Sequence, residues 1–274
     1  MWWMTPARKT KDERVTVLTH TTNTGVGGAV MTGYRAAIND TMDIVVKVDG
    51  DGQMDPKYLD DLTKPLAEGR ADYAKGNRFQ NIDELGAMPT HRLVANSFLS
   101  FFIKAASGYW GVMDPANGYT AVRLDMLKKL PLHKIAERYF FESDMLMRLN
   151  RLDAKVADVP MPAIYGDEVS QVRYLTTAVD FVWRIGYGMV KRLIWQYFIK
   201  DFNMASLYLL IGIPMFCLAV LVGAWEWIES ITTGIPRSAG TVMLVGVPII
   251  LGFQMILQAV AIDVERGNRL IIKE

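Results

Sequence analysis

Apolar positions divide the chain into two regimes. From Val15 to about residue 165, short apolar runs alternate with polar and glycine-rich breaks, whereas beyond residue 204 two long apolar stretches dominate. In the first regime "RVTVLTH" (residues 14–20) and "DIVVKVD" (43–49) are short and rich in β-branched residues, and they predict strands. The segment between them, "NTGVGGAVMTGYRAAI", predicts a helix; "ADYAKGNR" (71–78) and "AKVADVPM" (154–161) predict further short strands. This alternation implies an α/β fold with a largely parallel sheet. "FLSFFIKAASGYW" (98–110) is apolar but too short and interrupted to span a bilayer, so it predicts a buried or membrane-touching helix.

In the second regime, residues 206–228 carry one acid near their far edge and residues 241–262 carry no formal charge. Each is long enough to cross a hydrocarbon core that needs about 20 helical residues. Pro214 and Pro248 would kink such helices without forbidding them. Lys191, Arg192 and Lys200 precede the pair and Arg266, Arg269 and Lys273 follow it, while the short loop between offers Arg237 beside Glu226 and Glu229. The positive-inside rule then predicts a multi-pass protein of the cytoplasmic membrane with both termini in the cytoplasm. Ahead of the pair, residues 180–202 mix Trp183, Tyr187, Trp195 and Tyr197 with Arg184, Lys191 and Arg192. That mixture predicts a helix in the headgroup layer, or an amphipathic helix packed on the first domain. The expected organisation is therefore a domain over 1–176, a juxtamembrane segment over 177–203, and a hairpin with a short tail over 204–274.

Composition changes this picture little. Thirty basic residues against 29 acidic ones leave a formal charge of +1, so no global field argues for nucleic acid. A single cysteine, Cys217, excludes an intrachain disulfide framework and fits a reducing compartment. The opening "MWWMTPARKTKDER" lacks the order of a signal peptide.

Candidate chemistry begins at "VVKVDGDGQMDPKYL", where Asp49, Asp51 and Asp55 crowd the end of a predicted strand. Open α/β sheets bind ligands at such strand ends. Neighbouring carboxylates repel unless solvated or held by a cation, and a hard divalent ion suits their oxygens. An EF-hand is excluded because Met54 stands where the loop needs glycine and a strand precedes it; a solvated turn stays open. "NTGVGG" misses the dinucleotide fingerprint, since Val30 stands where the third glycine belongs, and a tight turn with close helix packing is favoured. "DPANGY" sets Asp114 and Asn117 on a turn. "YFFESDMLMRL" embeds Glu142 and Asp144 in an apolar run, as candidate bases or as helix caps. "KGNRF" offers Lys75 and Arg78 to a phosphate, or is a surface turn.

Taken in order, "HTTNTGVGGAVMTGY", "VVKVDGDGQMDP", "ADYAKGNRF", "HRLVANSF", "DPANGYTA" and "FFESDMLMRL" resemble family 2 glycosyltransferases of the GT-A fold, nearest the membrane-attached polyprenyl-phosphate branch. The resemblance runs from about Val15 to Tyr165. It implies a Rossmann-like, mostly parallel GT-A domain and a D-x-D pair, Asp49 and Asp51, holding Mg²⁺ or Mn²⁺ on the diphosphate of a nucleotide-sugar donor. Gln53 and Asp55 would line the same turn. Arg78, in a G-[S/N]-R pattern, would fix a phosphate of donor or acceptor, and Asp114, Asn117 and Gly118 would lie beside the transferred sugar. Asp144, opening an acid-M-x-x-R segment, would act with Glu142 to orient or deprotonate the acceptor. The implied function is metal-dependent, inverting transfer to a lipid-linked or polysaccharide acceptor; the alternative is an impaired membrane subunit that binds a partner. Membrane lipid is an expected partner, nucleic acid is not, and a homo-oligomer is left open.

Two departures qualify the resemblance. The family's first strand, its turn and the nucleobase-reading acid have no counterpart before Val15, which predicts an amino-terminally incomplete domain, short by roughly 50–60 residues on the scale of a domain. The branch's R-x-x-G-x-S pattern reads Tyr165 and Glu168 at its arginine and glycine positions, with Ser170 retained and Arg173 following.

Overall fold

A computed structural model of the chain describes residues 12–79, 90–162 and 174–274; Tyr165, Glu168, Ser170 and Arg173 lie outside them. The described chain runs α1 (Gly25–Asn39), β1 (Ile44–Lys47), α2 (Leu59–Ala67), β2 (Tyr73–Asn77), α3 (Thr90–Ser107), β3 (Thr120–Arg123), α4 (Leu124–Lys129), α5 (Phe141–Arg151), β4 (Val156–Pro160), α6 (Tyr174–Ile194), α7 (Met204–Thr233), α8 (Ala239–Asn268) and β5 (Ile271–Lys273).

The α/β class holds, as a mixed sheet of order β1-β3-β2-β4-β5. β3 runs antiparallel to both β1 and β2, and the β2–β4 and β4–β5 pairs are parallel. The sheet is thus less parallel than the alternation predicts, because β3 returns from the 114–119 turn and inserts between its two predecessors. β2 is buried at every position and β4 at all but Pro160, the pattern of strands covered on both faces. Leu127, Met145, Leu146 and Leu149 fill one face with Ile103 and Tyr109; Leu62, Leu66 and Tyr119 fill the other.

One predicted strand is corrected. Residues 14–19 are not paired in the sheet, and Val15, Val17 and Leu18 are about half exposed. β-branched residues favour extended backbone, but a strand also needs a ladder partner, and β1 takes its partner from β3. The segment is instead tied at its end, where His20 hydrogen-bonds Thr24 and Thr32 at 2.7 and 2.9 Å. The glycine-rich turn that follows does serve close packing. Gly25 has φ 77°, the Gly28 N–H donates to the Glu137 carbonyl at 2.9 Å, and a Cβ on Gly27 would lie 2.7 Å from that of Phe141.

α3 buries Ile103 yet exposes Phe98, Phe101 and Phe102 by 52–63%, so one face packs on the sheet domain and another stays apolar and open. α6 packs on α3 and α5 through Ile185 while Val182, Trp183 and Tyr187 face outward. After a π-helical turn over Trp195–Lys200, α7 and α8 pack antiparallel along their length, with most large apolar side chains exposed. Both are long and apolar enough to cross a membrane. Their contact seam uses small residues seven apart, Ala205, Gly212 and Ala219 on α7 against Gly252 and Ala259 on α8. At the crossing, a Cβ on Gly252 would lie 2.8 Å from the Phe216 backbone nitrogen, and such close approach is how helices associate in lipid. Beyond Thr233, Gly234 closes α7 in the left-handed region, and Arg237 pairs with Glu226 and Glu229.

The hairpin is locked to the sheet domain by a buried ion pair. Arg192 and Asp263 are 2% and 4% exposed. The guanidinium donates to both Asp263 oxygens at 2.7 and 2.9 Å and to the carbonyls of Ala105 and Ala106 at the end of α3. The Tyr197 hydroxyl and the Trp110 indole N–H complete the carboxylate's partners at 2.7 and 2.8 Å. β5 then adds beside β4, so residues beyond the hairpin complete the sheet.

Candidate active site

β1 delivers Lys47 to its carboxyl end with the side chain buried, and the chain turns there through Asp49, Asp51 and Gly52, whose φ is 76°. The Lys47 ammonium lies 2.7 Å from Asp49 Oδ2 and 3.4 Å from Glu142 Oε1, tying the β1 turn to the first turn of α5. Asp51 is exposed and accepts from the Gln53 N–H at 3.0 Å. Asp49, Asp51, Gln53 and Glu142 line a pocket of about 200 Å³ with Arg78, Asn117, Gly118 and Met161, and Lys47 stands behind its wall.

Arg78 is aimed into this pocket by Asp114, whose side chain is fully buried and takes the guanidinium at 2.7 Å through Nε and 3.3 Å through Nη2. A fork-to-fork pair of this kind fixes orientation as well as charge. Lys75, fully buried in β2, donates to the Asn117 carbonyl, and the Asn117 side chain accepts from the Tyr119 N–H at 3.0 Å. Burial holds Lys75 below the ordinary lysine range. Gly118 faces the tips of the cluster: a Cβ there would lie 2.5 Å from Lys47 Nζ, 2.9 Å from Asp49 Oδ2 and 3.0 Å from Glu142 Oε1, so any side chain would push those tips aside.

Of the residues singled out by sequence, Asp49, Asp51, Gln53, Arg78, Asn117, Gly118 and Glu142 converge on this pocket, and Asp114 stands directly behind it. Asp55 does not line it; it caps the turn at Pro56 and pairs with Lys57 at 3.0 Å. Asp144 lies apart. Residues two apart on an α-helix point about 200° away from each other, so Glu142 and Asp144 face opposite sides of α5. Asp144 accepts from the Ala136 N–H and from Arg148 Nε, both at 3.0 Å, and lines a separate basic pocket. Lys47 is the site residue that the sequence reading passes over; a lysine inside "IVVKV" is the signal that marks it.

Behind the site, Asp158 on β4 accepts from Asn77 Nδ2 at 2.9 Å, and its other oxygen has no partner among the described residues. Burial raises its pKa from 3.8 to about 6. Between these values the folded state holds the extra proton. Stability therefore falls as pH rises from about 4 to about 6, and the penalty is complete above that window. Asp158→Asn is expected to stabilise the protein at pH 7.5 by on the order of 2 kcal/mol and to flatten that slope, measured by thermal unfolding in detergent between pH 4 and 8.

Comparison with known proteins finds a match for the part of the chain that supplies most of this pocket, over residues 4–131. Residues 4–131 match glycosyl transferase family 2. The chain is 32% identical over 168 residues to the UDP-N-acetylglucosamine–dolichyl-phosphate N-acetylglucosaminyltransferase of Methanococcus voltae, covering 61% of this chain and 66% of that protein. It is 32% identical over 155 residues to the undecaprenyl-phosphate mannosyltransferase of Micrococcus luteus, covering 56% of this chain and 63% of that one. The chain thus spans just under two thirds of these relatives' length. Among solved structures, glucosyl-3-phosphoglycerate synthase from Mycobacterium tuberculosis, in complex with Mn²⁺, UDP-glucose and glycerol 3-phosphate, aligns with 65% of this chain and 57% of its own at TM-score 0.39 and 22% identity. The family 2 match takes in α1 through α4, and with them every pocket-lining residue named above except Glu142 and Met161.

The carboxylates of Asp49 and Asp51 suit Mg²⁺ or Mn²⁺ chemically. Such ions are commonly held by one or two carboxylates, with water and substrate phosphate oxygens completing the shell. Among the described residues no group of three or more His, Cys, Asp or Glu side chains converges to form a full protein cage.

Proposed function

We propose that the protein is a membrane glycosyltransferase that moves a sugar from a nucleotide-sugar donor to a lipid-linked acceptor, polyprenyl phosphate being the favoured class. The observation that carries this reading is the single pocket that gathers Asp49, Asp51, Arg78, Asn117, Gly118 and Glu142 at the strand ends. The relatives' names support the same donor and acceptor classes.

Asp49 and Asp51 would hold Mg²⁺ or Mn²⁺, which supplies positive charge to the diphosphate leaving group. Arg78, steadied by Asp114, supplies a fixed cation for a phosphate oxygen. Lys47 keeps Asp49 and Glu142 in register on opposite walls. In transfer, the acceptor oxygen attacks the anomeric carbon, the proton of a monoprotonated phosphate or a hydroxyl acceptor passes to Glu142, and the bond to the diphosphate breaks with its electron pair leaving on the phosphate. One displacement inverts the anomeric carbon. Asp144, bound to Arg148 and the Ala136 N–H, steadies α5 and so positions Glu142. The basic residues flanking the hairpin support a cytoplasmic position for the sheet domain and both ends of the helix pair.

The test is transfer of radiolabelled sugar into lipid by membranes carrying the chain, offered UDP- and GDP-sugars with Mn²⁺, alongside Asp51→Ala. Label that depends on Asp51 is the expected result. No label with any donor, from this chain or from one extended upstream, would overturn the reading in favour of a non-catalytic subunit. Gly118→Ala is expected to lower transfer about tenfold, because its methyl displaces a Lys47–Asp49–Glu142 cluster whose small misplacements are costly. Comparing its initial rates with the parent chain's checks this.

A further inference from the structure

The pocket that Asp144 lines, between α5 and α6, has a volume of about 210 Å³ and a strongly basic rim of Lys134, Arg148, Arg151, Arg184 and Lys191. Two carboxylates face them. Asp144 pairs with Arg148 at 3.0 Å and Asp180 with Arg184 at 2.8 Å. Among the described residues, Lys134, Arg151 and Lys191 have no carboxylate partner. Arg151 rides on the Trp195 ring at 4.7 Å, and Lys191 lies 5.8 Å from the Tyr187 ring. Burial and the neighbouring Arg148 charge both hold Arg151 below the ordinary arginine range, so an anion here would relieve a real repulsion.

The depth of the pocket points to the source of that anion. Residues 241–262, at 1.5 Å per residue, span about 33 Å, close to the roughly 30 Å of a hydrocarbon core. Asp263 follows them directly, at the edge of the apolar slab, and its partner Arg192 lines this pocket. The pocket therefore sits at headgroup depth. On the same helix Trp183 and Tyr187 are 73% and 61% exposed, as expected of side chains in the interfacial belt.

We propose that this pocket holds the phosphate of an anionic phospholipid from the leaflet on the sheet domain's side. The proposal is independent of the transfer reading, since it uses the opposite face of α5. It is tested by native mass spectrometry of the full chain in a neutral maltoside detergent, offered dioleoyl phosphatidylglycerol and dioleoyl phosphatidylcholine at equal concentration. Phosphatidylglycerol should be retained preferentially. Lys191→Gln, an exposed change that the fold tolerates, should cut that preference about fivefold, and Arg151→Gln should do the same. Arg269→Gln, at the cap just past the end of α8 and away from the pocket, should leave it unchanged. Equal retention of the two lipids would overturn the proposal, and so would an equal loss in Arg269→Gln. Full displacement of phosphatidylglycerol by millimolar inorganic phosphate would overturn it in favour of a free-phosphate site.

Discussion

Glu142→Gln is expected to slow sugar transfer by about 10²–10⁴-fold while donor binding persists, the range of a lost general base. The glutamine keeps the shape of the α5 first turn and can still accept from Lys47, so the pocket wall survives and the proton acceptor does not. Asp144→Asn should behave differently. Its oxygens serve Ala136 and Arg148 on the other side of α5, so the expected loss is in stability, with a much smaller effect on transfer. Single-turnover rates and donor titration for both variants separate the two roles. A loss below tenfold in Glu142→Gln would show that the acceptor arrives fully deprotonated, as a phosphate dianion, and would remove the base from the mechanism.

Asp263→Leu is expected to cost about 3–5 kcal/mol, because it strands the buried Arg192 charge. It also deprives the Tyr197 hydroxyl and the Trp110 indole of their acceptor. Thermal unfolding in detergent should shift down by about 10 °C. The double change Arg192→Met with Asp263→Leu should recover part of the loss, since the uncompensated charge goes with its partner. A single-variant loss below about 1 kcal/mol would mean that the pair is not closed in the bilayer.

The hairpin was legible because apolar length alone marks it: the apolar stretches of 206–228 and 241–262 lie within helices Met204–Thr233 and Ala239–Asn268. Most of the pocket was legible too, through ordered motifs that each supply one wall. What the sequence hid is long-range. "TAVR" is four residues long, and nothing local says that it inserts antiparallel between β1 and β2. "RVTVLTH" has strand composition, yet pairing is decided elsewhere in the chain. The Arg192–Asp263 pair joins residues 71 positions apart, each of which reads locally as a charge at the rim of an apolar helix. The separation of Glu142 from Asp144, by contrast, was available from helix geometry once α5 was recognised.

The position of β5 has a consequence for how the protein is made. β4 ends at Pro160 and its outer neighbour begins at Ile271, with both hairpin helices between. At ribosomal rates of 5–20 residues per second, roughly 5–20 s separate the two strands during synthesis. Through that interval the β4 edge is an open template for any extended segment nearby. The hairpin helices are therefore made before the sheet can close, and the last three residues of the sheet are the last to arrive at an edge that has stood open throughout.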